Sequence, residues 1–250
     1  MDTASPVPSA LTASRVSSKQ VFAIAGPAMV ANLTTPLLGI VATIAIGRLG
    51  NATLLGGVAM ASVIFDCMFW LFGFLRMGTV ALTAQATGAH DTGEINALLM
   101  RGFIVAALIG LGLIALQLPL AAIVFDAMGG SASVTHAART YFAIRIWSAP
   151  MALANYVVLG WLVGQARASL ALSVQIAINL VNMAATVLLV LALDFGIAGA
   201  AIAAIIAETS GVIMGVLSRG GLRATCLPFP PPRCSTGQNC CACSRSTATS

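Results

Sequence analysis

Two acidic residues of this 250-residue chain stand inside strongly apolar stretches, where a carboxyl group can do chemistry. Asp66 lies within VIFDCMFWLF at positions 63–72, and Glu208 ends GIAGAAIAAIIAE at positions 196–208. A lone carboxylate is costly to ionise in apolar surroundings unless a partner compensates its charge. Both acids are therefore candidates for proton shuttling or ion coupling. The alternative is structural: a neutral acid hydrogen-bonded to a neighbouring helix for Asp66, and a packing role for Glu208.

The composition indicates which environment surrounds these acids. Hydrophobic residues make up 59% of the chain and charged residues 8%, whereas a soluble domain has about 25% charged residues. Charge-free runs extend over 21–47, 49–65, 102–125, 146–166 and 168–193, and several exceed the roughly 18 apolar residues that indicate a membrane-spanning helix. The sequence therefore predicts a polytopic membrane protein. Its net charge of +5 then relates to membrane orientation and not to nucleic acid.

Six spans fit this pattern and predict an all-α fold, a polytopic bundle of six transmembrane helices. They cover about 21–46, 53–76, 97–125, 137–165, 169–192 and 196–218. An even number of spans places both termini on one side, and basic residues favour the cytoplasmic side. Arg48 and Arg139 fall at the opposite ends. The larger set predicts a multi-pass protein of the cell inner (plasma) membrane with both termini cytoplasmic: Arg15, Lys19, Arg76, Arg101, Arg167, Arg219 and Arg223.

Arg76 and Asp66 belong to the same predicted span, but they are too far apart to pair. Arg76 ends this span, where a long side chain can reach the headgroups at little cost. Asp66 lies ten residues earlier, about 15 Å along the helix at roughly 1.5 Å per residue. The sequence therefore predicts a membrane anchor for Arg76. Any partner of Asp66 must come from another helix.

The two ends differ in composition from the predicted bundle at residues 21–219. Residues 1–20 are rich in Ser, Thr and Pro, which predicts a polar cytoplasmic N-terminus. Residues 220–250 are rich in Pro, Cys, Ser and Arg without helical periodicity, which predicts a disordered tail. Its abrupt start after the sixth span raises the hypothesis of a shifted reading frame. The cysteines of this tail have no nearby His, so no metal site and no cofactor is expected.

Four blocks of the sequence, in this order and spacing, resemble the multidrug and toxic compound extrusion (MATE) family and most of all its DinF-like branch. They are PLLGIVATIAIGRLG at 36–50, FWLFGFLRMGTVALTAQATGAHD at 69–91, IRIWSAPMALANYVVLGWLVGQ at 144–165 and GIAGAAIAAIIAE at 196–208. The resemblance implies a twelve-helix transporter of two six-helix lobes. Such a transporter opens a central cavity to each side in turn and exports toxic compounds against H+ or Na+ entry. This chain matches the first lobe.

The resemblance assigns several candidate residues to the substrate or ion pathway. Pro27 matches the proline at which the first helix bends, and an interior proline removes a backbone hydrogen bond. Asn155 and Asn182 match polar positions that line the first-lobe cavity, and Asn179 lies one turn before Asn182. Their amides can coordinate a cation, orient a carboxyl group or bind substrate. The alternatives are a tolerated proline and plain interhelical hydrogen bonds.

The chain also departs from the family at acidic positions. Ala42 stands where the family usually has an acid in the first helix, directly before the matching Thr43. Ala143 and Thr186 stand where DinF-like relatives tend to have acids. Glu208 retains an acid that the family pattern shares. Ordinary proton coupling by the family's residues is therefore not expected here, and H+ or Na+ coupling would depend on other groups.

These observations predict antiporter-type efflux of small organic or cationic toxic compounds by alternating access. The expected partners are the lipid bilayer, a small-molecule drug or toxic compound, and a second lobe or second copy that encloses a cavity; nucleic acid is not expected. One alternative is a non-transporting truncated remnant or interaction protein. Another is a flippase for lipid-linked sugars, which predicts a more basic cavity than the few scattered charges would form. An enzyme is not expected, because the sequence has no recognisable nucleophile–base pair.

Overall fold

The computed structural model describes residues 37–48, 50 and 52–220, with side chains up to residue 218. Within these residues the chain forms α-helices and no β-strand. A 3-10 turn at Ile146–Ser148 joins two of the helices, and a π-helical turn at Leu188–Ala192 extends another. The helices are α1 (Leu37–Gly47), α2 (Ala52–Leu71), α3 (Gly73–Gly88), α4 (Thr92–Ala115), α5 (Gln117–Met128), α6 (Ala132–Arg145), α7 (Ala149–Gly164), α8 (Ala168–Val187) and α9 (Gly196–Gly220).

Five stretches of the described chain are long and apolar enough to cross a membrane. They are Ala52–Gly88, Thr92–Ala115, Ala132–Gly164, Ala168–Ala192 and Gly196–Ser218. The first predicted span, 21–46, falls largely outside the described residues and is represented by α1. The prediction of an all-α, polytopic membrane fold is confirmed, with five complete spans in the part of the chain that the structure describes.

The predicted end of the second span at residue 76 is wrong. Helix α2 ends at Leu71, and after a turn at Phe72 the chain re-enters a helix at Gly73 and continues to Gly88. Glycine next to a helix break is a common cause of a kink. Arg76 lies in the first turn of α3 with its side chain exposed, so it does not terminate the helix. The predicted loop before residue 97 is mostly helical.

Two predicted single helices are each divided by a proline. The span predicted at 97–125 breaks at Leu116, because Pro119 lies in the first turn of α5 and cannot continue the preceding helix. The span predicted at 137–165 begins earlier, at Ala132, and passes through the 3-10 turn just before Pro150. A proline lacks the amide hydrogen and collides with the carbonyl one turn back. The span predicted at 97–125 is therefore interrupted at Leu116, whereas the span predicted at 137–165 is one apolar stretch, Ala132–Gly164, with a 3-10 turn inside it.

Helices α6 and α7 form the centre of the bundle. In the most apolar 18-residue stretch of Ala132–Gly164, 72% is buried inside the bundle, whereas in the corresponding stretch of α4 only 17% is buried. A helix that is apolar on all sides belongs in an interior, whereas the outer helices leave apolar side chains for lipid. One core cluster surrounds Phe65 and Phe142, whose rings stack at 5.1 Å. A second cluster surrounds Trp161 of α7.

Small residues let α7 and α9 approach their neighbours closely. A Cβ atom added at Gly160 would lie 2.7 Å from the Arg76 carbonyl oxygen, and one at Gly164 would lie 2.6 Å from Thr83 Cβ. On α9, a Cβ at Gly215 would collide with Val158. The spacing of these glycines therefore serves close helix packing within the bundle.

Candidate functional site

A cavity of about 210 Å³ lies where α1, α2, α6, α8 and α9 converge. Each helix contributes residues three or four positions apart, which share one helix face. We call this space the Arg145 cavity. Its polar lining consists of Ser62, Asp66, Tyr141, Arg145, Asn182 and Thr186, and its apolar lining consists of Leu38, Gly39, Ala42, Val58, Ala200 and Ala204.

Arg145 is held in the wall of this cavity by aromatic residues. Its Nη1 donates a 2.7 Å hydrogen bond to Tyr141 Oη, one turn earlier on α6. Its Cζ lies 4.8 Å from the ring centroid of Phe65 and 5.6 Å from that of Tyr141, distances at which cation–π attraction operates. The Nε atom is buried and has no hydrogen-bond partner in the described part of the chain. The guanidinium is therefore fixed in position but only partly satisfied.

Asp66 faces the Arg145 cavity from α2 with an exposed side chain. The ion pairs between described residues are Arg101 with Glu94 and Arg139 with Asp126. Asp66 and Arg145 thus place opposite charges on one cavity without a direct ion pair. This cavity therefore carries a basic and an acidic side chain, although the sequence has few charges.

The polar residues of α8 lie on neighbouring turns. Asn182 and Thr186 both line the Arg145 cavity, and Thr186 Oγ1 donates a 3.2 Å hydrogen bond to Asn182 Oδ1. Asn179 is buried one turn earlier and accepts a 3.5 Å hydrogen bond from Gln175 Nε2. Asn179 is not among the residues that line the cavity. Asn182 therefore lies where it could contact a ligand in the cavity, and Asn179 does not.

Asn155 and Glu208 form a pair between α7 and α9. Asn155 Nδ2 donates to the Glu208 main-chain oxygen at 2.8 Å and to its carboxyl Oε2 at 2.6 Å. Asn155 is only 3% exposed, and its Oδ1 has no partner among the described side chains and backbone. A Cβ at Gly211 would lie 2.8 Å from that oxygen. A residue with a Cβ atom at position 211 would therefore crowd the Asn155 side-chain amide.

The pair lies close to the Arg145 cavity. Glu208 follows Ala204 by one turn of α9, and Ala204 lines the cavity. Glu208 and Asn155 are not among the residues that line the cavity itself, so the pair lies beside it.

The remaining residues singled out in the sequence differ in their relation to the cavity. Ala42 lines the Arg145 cavity, so the position at which the resemblance implies an acid faces this space. Thr43 is exposed and is not among the lining residues. Ala143 is also exposed. Pro27 lies outside the described residues.

Sequence analysis missed Arg145, which is the fixed cation of this site. Arg145 is neither among the basic residues at the ends of the predicted spans nor among the predicted intramembrane charges. A signal was present in YFAIR at 141–145, because tyrosine and arginine four residues apart share a helix face. No cluster of three or more potential metal-ligating side chains occurs in residues 37–48, 50 and 52–220.

A bundle of long apolar helices around an inner cavity with charged side chains defines a polytopic membrane protein. The comparisons with known proteins agree with this class. The MatE family model matches residues 27–188, and the chain belongs to this family.

Several relatives show how much of the family's architecture the chain covers. It is 37% identical over 201 residues to DNA damage-inducible protein F of Escherichia coli K12, covering 80% of this chain and 44% of the relative. It is 28% identical over 171 residues to a probable multidrug resistance protein NorM of Caulobacter vibrioides, covering 68% and 36%. The chain thus spans less than half the length of these relatives.

Solved structures show the same fold. A MOP superfamily transporter from Pyrococcus furiosus superposes with a TM-score of 0.73 at 22% identity, covering 88% of this chain and 50% of that one. An outward-facing multidrug resistance MATE family transporter gives a TM-score of 0.73 at 21% identity, covering 86% and 49%. The described bundle therefore has the fold of about half of such a transporter.

Proposed function

We propose that this chain forms one six-helix lobe of a MATE-type efflux transporter that removes small organic or cationic toxic compounds from the cell. The observation that carries the proposal is the Arg145 cavity, which is lined by residues of five helices and includes a basic and an acidic side chain. Intramembrane ionisable side chains that face an internal cavity are typical of substrate and ion pathways. Membership of the MatE family and the similarity to a probable multidrug resistance protein, NorM of Caulobacter vibrioides, support efflux as the activity.

The proposed mechanism is alternating access around this cavity. A second six-helix bundle, either a further lobe or a second copy of the chain, would close the open side of the site. Rocking of one bundle against the other would then expose the site to each face in turn. The proposal places the protein in the cell inner membrane with both termini in the cytoplasm, in agreement with the distribution of basic residues.

Ion coupling is assigned to the acids that remain in the bundle. Glu208 is the stronger candidate, because Asn155 holds its carboxyl group in a fixed orientation one helical turn from Ala204 of the cavity lining. Asp66 is the second candidate, since it faces the cavity without an ion pair in the described structure. H+ or Na+ entry past these groups would drive export.

The flippase alternative has one observation in its favour. Arg145 supplies a basic group in the cavity, as a site for phosphate-linked sugars would require. Asp66 faces the same space, however, so the lining is of mixed charge and not predominantly basic. Efflux of small molecules is therefore the better-supported function.

An export assay in living cells tests the proposal. Cells that produce these 250 residues are loaded with the fluorescent cation ethidium, and its loss is compared with loss from vector-only cells. Faster loss that Glu208→Gln abolishes is the expected result. Loss at the vector rate, with the protein present in the membrane, would support the non-transporting alternative instead.

A further inference from the structure

We infer that the Arg145 cavity is a binding site for an organic oxyanion, a carboxylate or sulfonate group whose oxygens bind the Arg145 guanidinium. The inference deepens the proposed function and rests on it only in taking this cavity as part of a transport path. It departs from the expectation of a purely cationic substrate. Binding itself requires neither a second lobe nor an ion gradient.

The first argument is the unsatisfied state of the guanidinium. An arginine side chain carries five N–H donors. Nη1 is bonded to Tyr141, whereas the buried Nε has no partner among the described residues. The buried Nε is a donor whose desolvation nothing in the described structure compensates. Because Nε is shielded, an incoming oxyanion would meet the Nη atoms, where it would supply an acceptor and a counter-charge to the guanidinium.

The second argument is that the site is already organised. The Tyr141 hydroxyl and the Phe65 ring fix the guanidinium from two directions. A ligand that meets a fixed side chain does not have to order it, which reduces the entropic cost of binding. The smallest residues in the lining, at Gly39, Ala42, Ala200 and Ala204, leave open the space beside it.

The third argument concerns size and polarity. The cavity measures about 210 Å³, which is below the roughly 300 Å³ at which pockets for drug-sized ligands begin. It therefore fits the acid group and a short apolar portion of a molecule. Leu38 and Val58 provide an apolar wall for that portion, so an organic anion suits the site better than an inorganic one.

Asp66 and Arg145 should have opposite effects on the affinity of the cavity for an anion. The Asp66 carboxyl group faces the same cavity, where a negative charge would compensate Arg145 at longer range and repel an incoming anion. Removing the charge of Asp66 should therefore strengthen oxyanion binding, while removing the charge of Arg145 should abolish it. At a cation site the effects of the two substitutions would be reversed.

The test is calorimetric titration of the purified chain in phosphatidylcholine nanodiscs with benzenesulfonate and with benzyltrimethylammonium, two probes of similar size and opposite charge. Benzenesulfonate is expected to bind, and Arg145→Gln should weaken its binding about tenfold or more. Asp66→Asn should strengthen it. Arg139→Gln is the matched control, because Arg139 is exposed and paired with Asp126 away from this cavity.

The inference is overturned if benzenesulfonate does not bind the unmodified chain, or if Arg145→Gln leaves its affinity unchanged. Tighter binding of benzyltrimethylammonium that is lost in Asp66→Asn would also overturn it. Gel filtration and far-UV circular dichroism check that each variant is folded. Should Arg145→Gln fail to fold, the sign of the Asp66→Asn effect decides the question alone.

A second set of nanodiscs containing phosphatidylglycerol separates a soluble ligand from a lipid headgroup. Competition by the anionic lipid that depends on Arg145 would identify the headgroup as the source of the oxyanion. Unchanged benzenesulfonate affinity would identify a soluble acid. Efflux of ethidium is measured separately. Failure of anion binding would leave the efflux proposal standing, and failure of efflux would leave the proposed anion site standing.

Discussion

The amide of Asn155 on α7 donates to both the main-chain carbonyl and the carboxyl group of Glu208 on α9, at 2.8 and 2.6 Å. One side chain thus fixes the position of a helix and the orientation of an intramembrane acid. The arrangement links the packing of the bundle to the chemistry of its cavity. Changes at either residue should therefore affect stability and activity together.

Replacing Asn155 should destabilise the bundle. Asn155→Ala removes two hydrogen bonds across α7 and α9 and leaves the Glu208 carboxyl without its amide partner. Interhelical hydrogen bonds in membranes contribute about 0.6 to 2 kcal/mol each. We expect a lower midpoint of thermal unfolding in detergent. Asn96→Ala is the control, since Asn96 is exposed on α4 and bonds within its own helix; an equal loss in both variants would contradict the account.

Gly211→Ala should be destabilising because the site has no room for a methyl group. The new Cβ would collide with Ile178 and lie 2.8 Å from Asn155 Oδ1. Overpacking of this kind costs about 1 to 3 kcal/mol. Gly112→Ala is a matched control, because a Cβ there meets no atom within 4 Å and alanine is the better helix former. The prediction fails if both variants unfold at the same temperature.

Trp161→Phe should lower stability through one hydrogen bond. Trp161 is 1% exposed, and its Nε1 donates at 2.9 Å to the Ile95 carbonyl oxygen of α4. Loss of such a bond costs about 1 kcal/mol, and more where the carbonyl stays buried without a partner. Trp70→Phe, at a residue 83% exposed, should have no such effect. Equal unfolding midpoints for the two variants would show that the bond contributes nothing.

The turns of the bundle should alternate between the two faces of the membrane. With both termini cytoplasmic, the turn at Asp91 faces the cytoplasm and the turn at Asp194 faces outwards. Single cysteines at these positions, in a chain whose own cysteines are replaced by serine, should react differently with a membrane-impermeant maleimide added to intact cells. Labelling at 194 but not at 91 is expected. The reverse pattern would contradict the proposed orientation, and labelling of both would contradict the number of crossings.

Hydropathy predicted the membrane spans well because lipid requires long apolar helices whatever their packing. The last two spans begin and end within one or two residues of their predicted limits. The errors have local causes that could have been recognised. Pro119 and Pro150 both lie inside predicted spans, and a proline interrupts the backbone hydrogen bonding of a helix.

The contacts between helices could not be predicted in the same way. Asn155 and Glu208 were each recognised as candidates, but they are separated by 53 positions in the chain, and helical periodicity carries no information about which faces meet. Arg145 falls inside the predicted span 137–165, away from its ends. Its partners Tyr141 and Phe65 come from two different helices, so its place in the cavity depends on tertiary packing.

The most direct measurement of the central claim uses the purified chain in liposomes with an imposed proton or sodium gradient. Ethidium uptake into the lumen is followed by fluorescence for the unmodified chain, for Glu208→Gln and for Glu94→Gln, an exposed acid that pairs with Arg101. The account predicts gradient-driven uptake that Glu208→Gln abolishes and Glu94→Gln preserves. Uptake equal to that of protein-free liposomes, or uptake unaffected by Glu208→Gln, would contradict it.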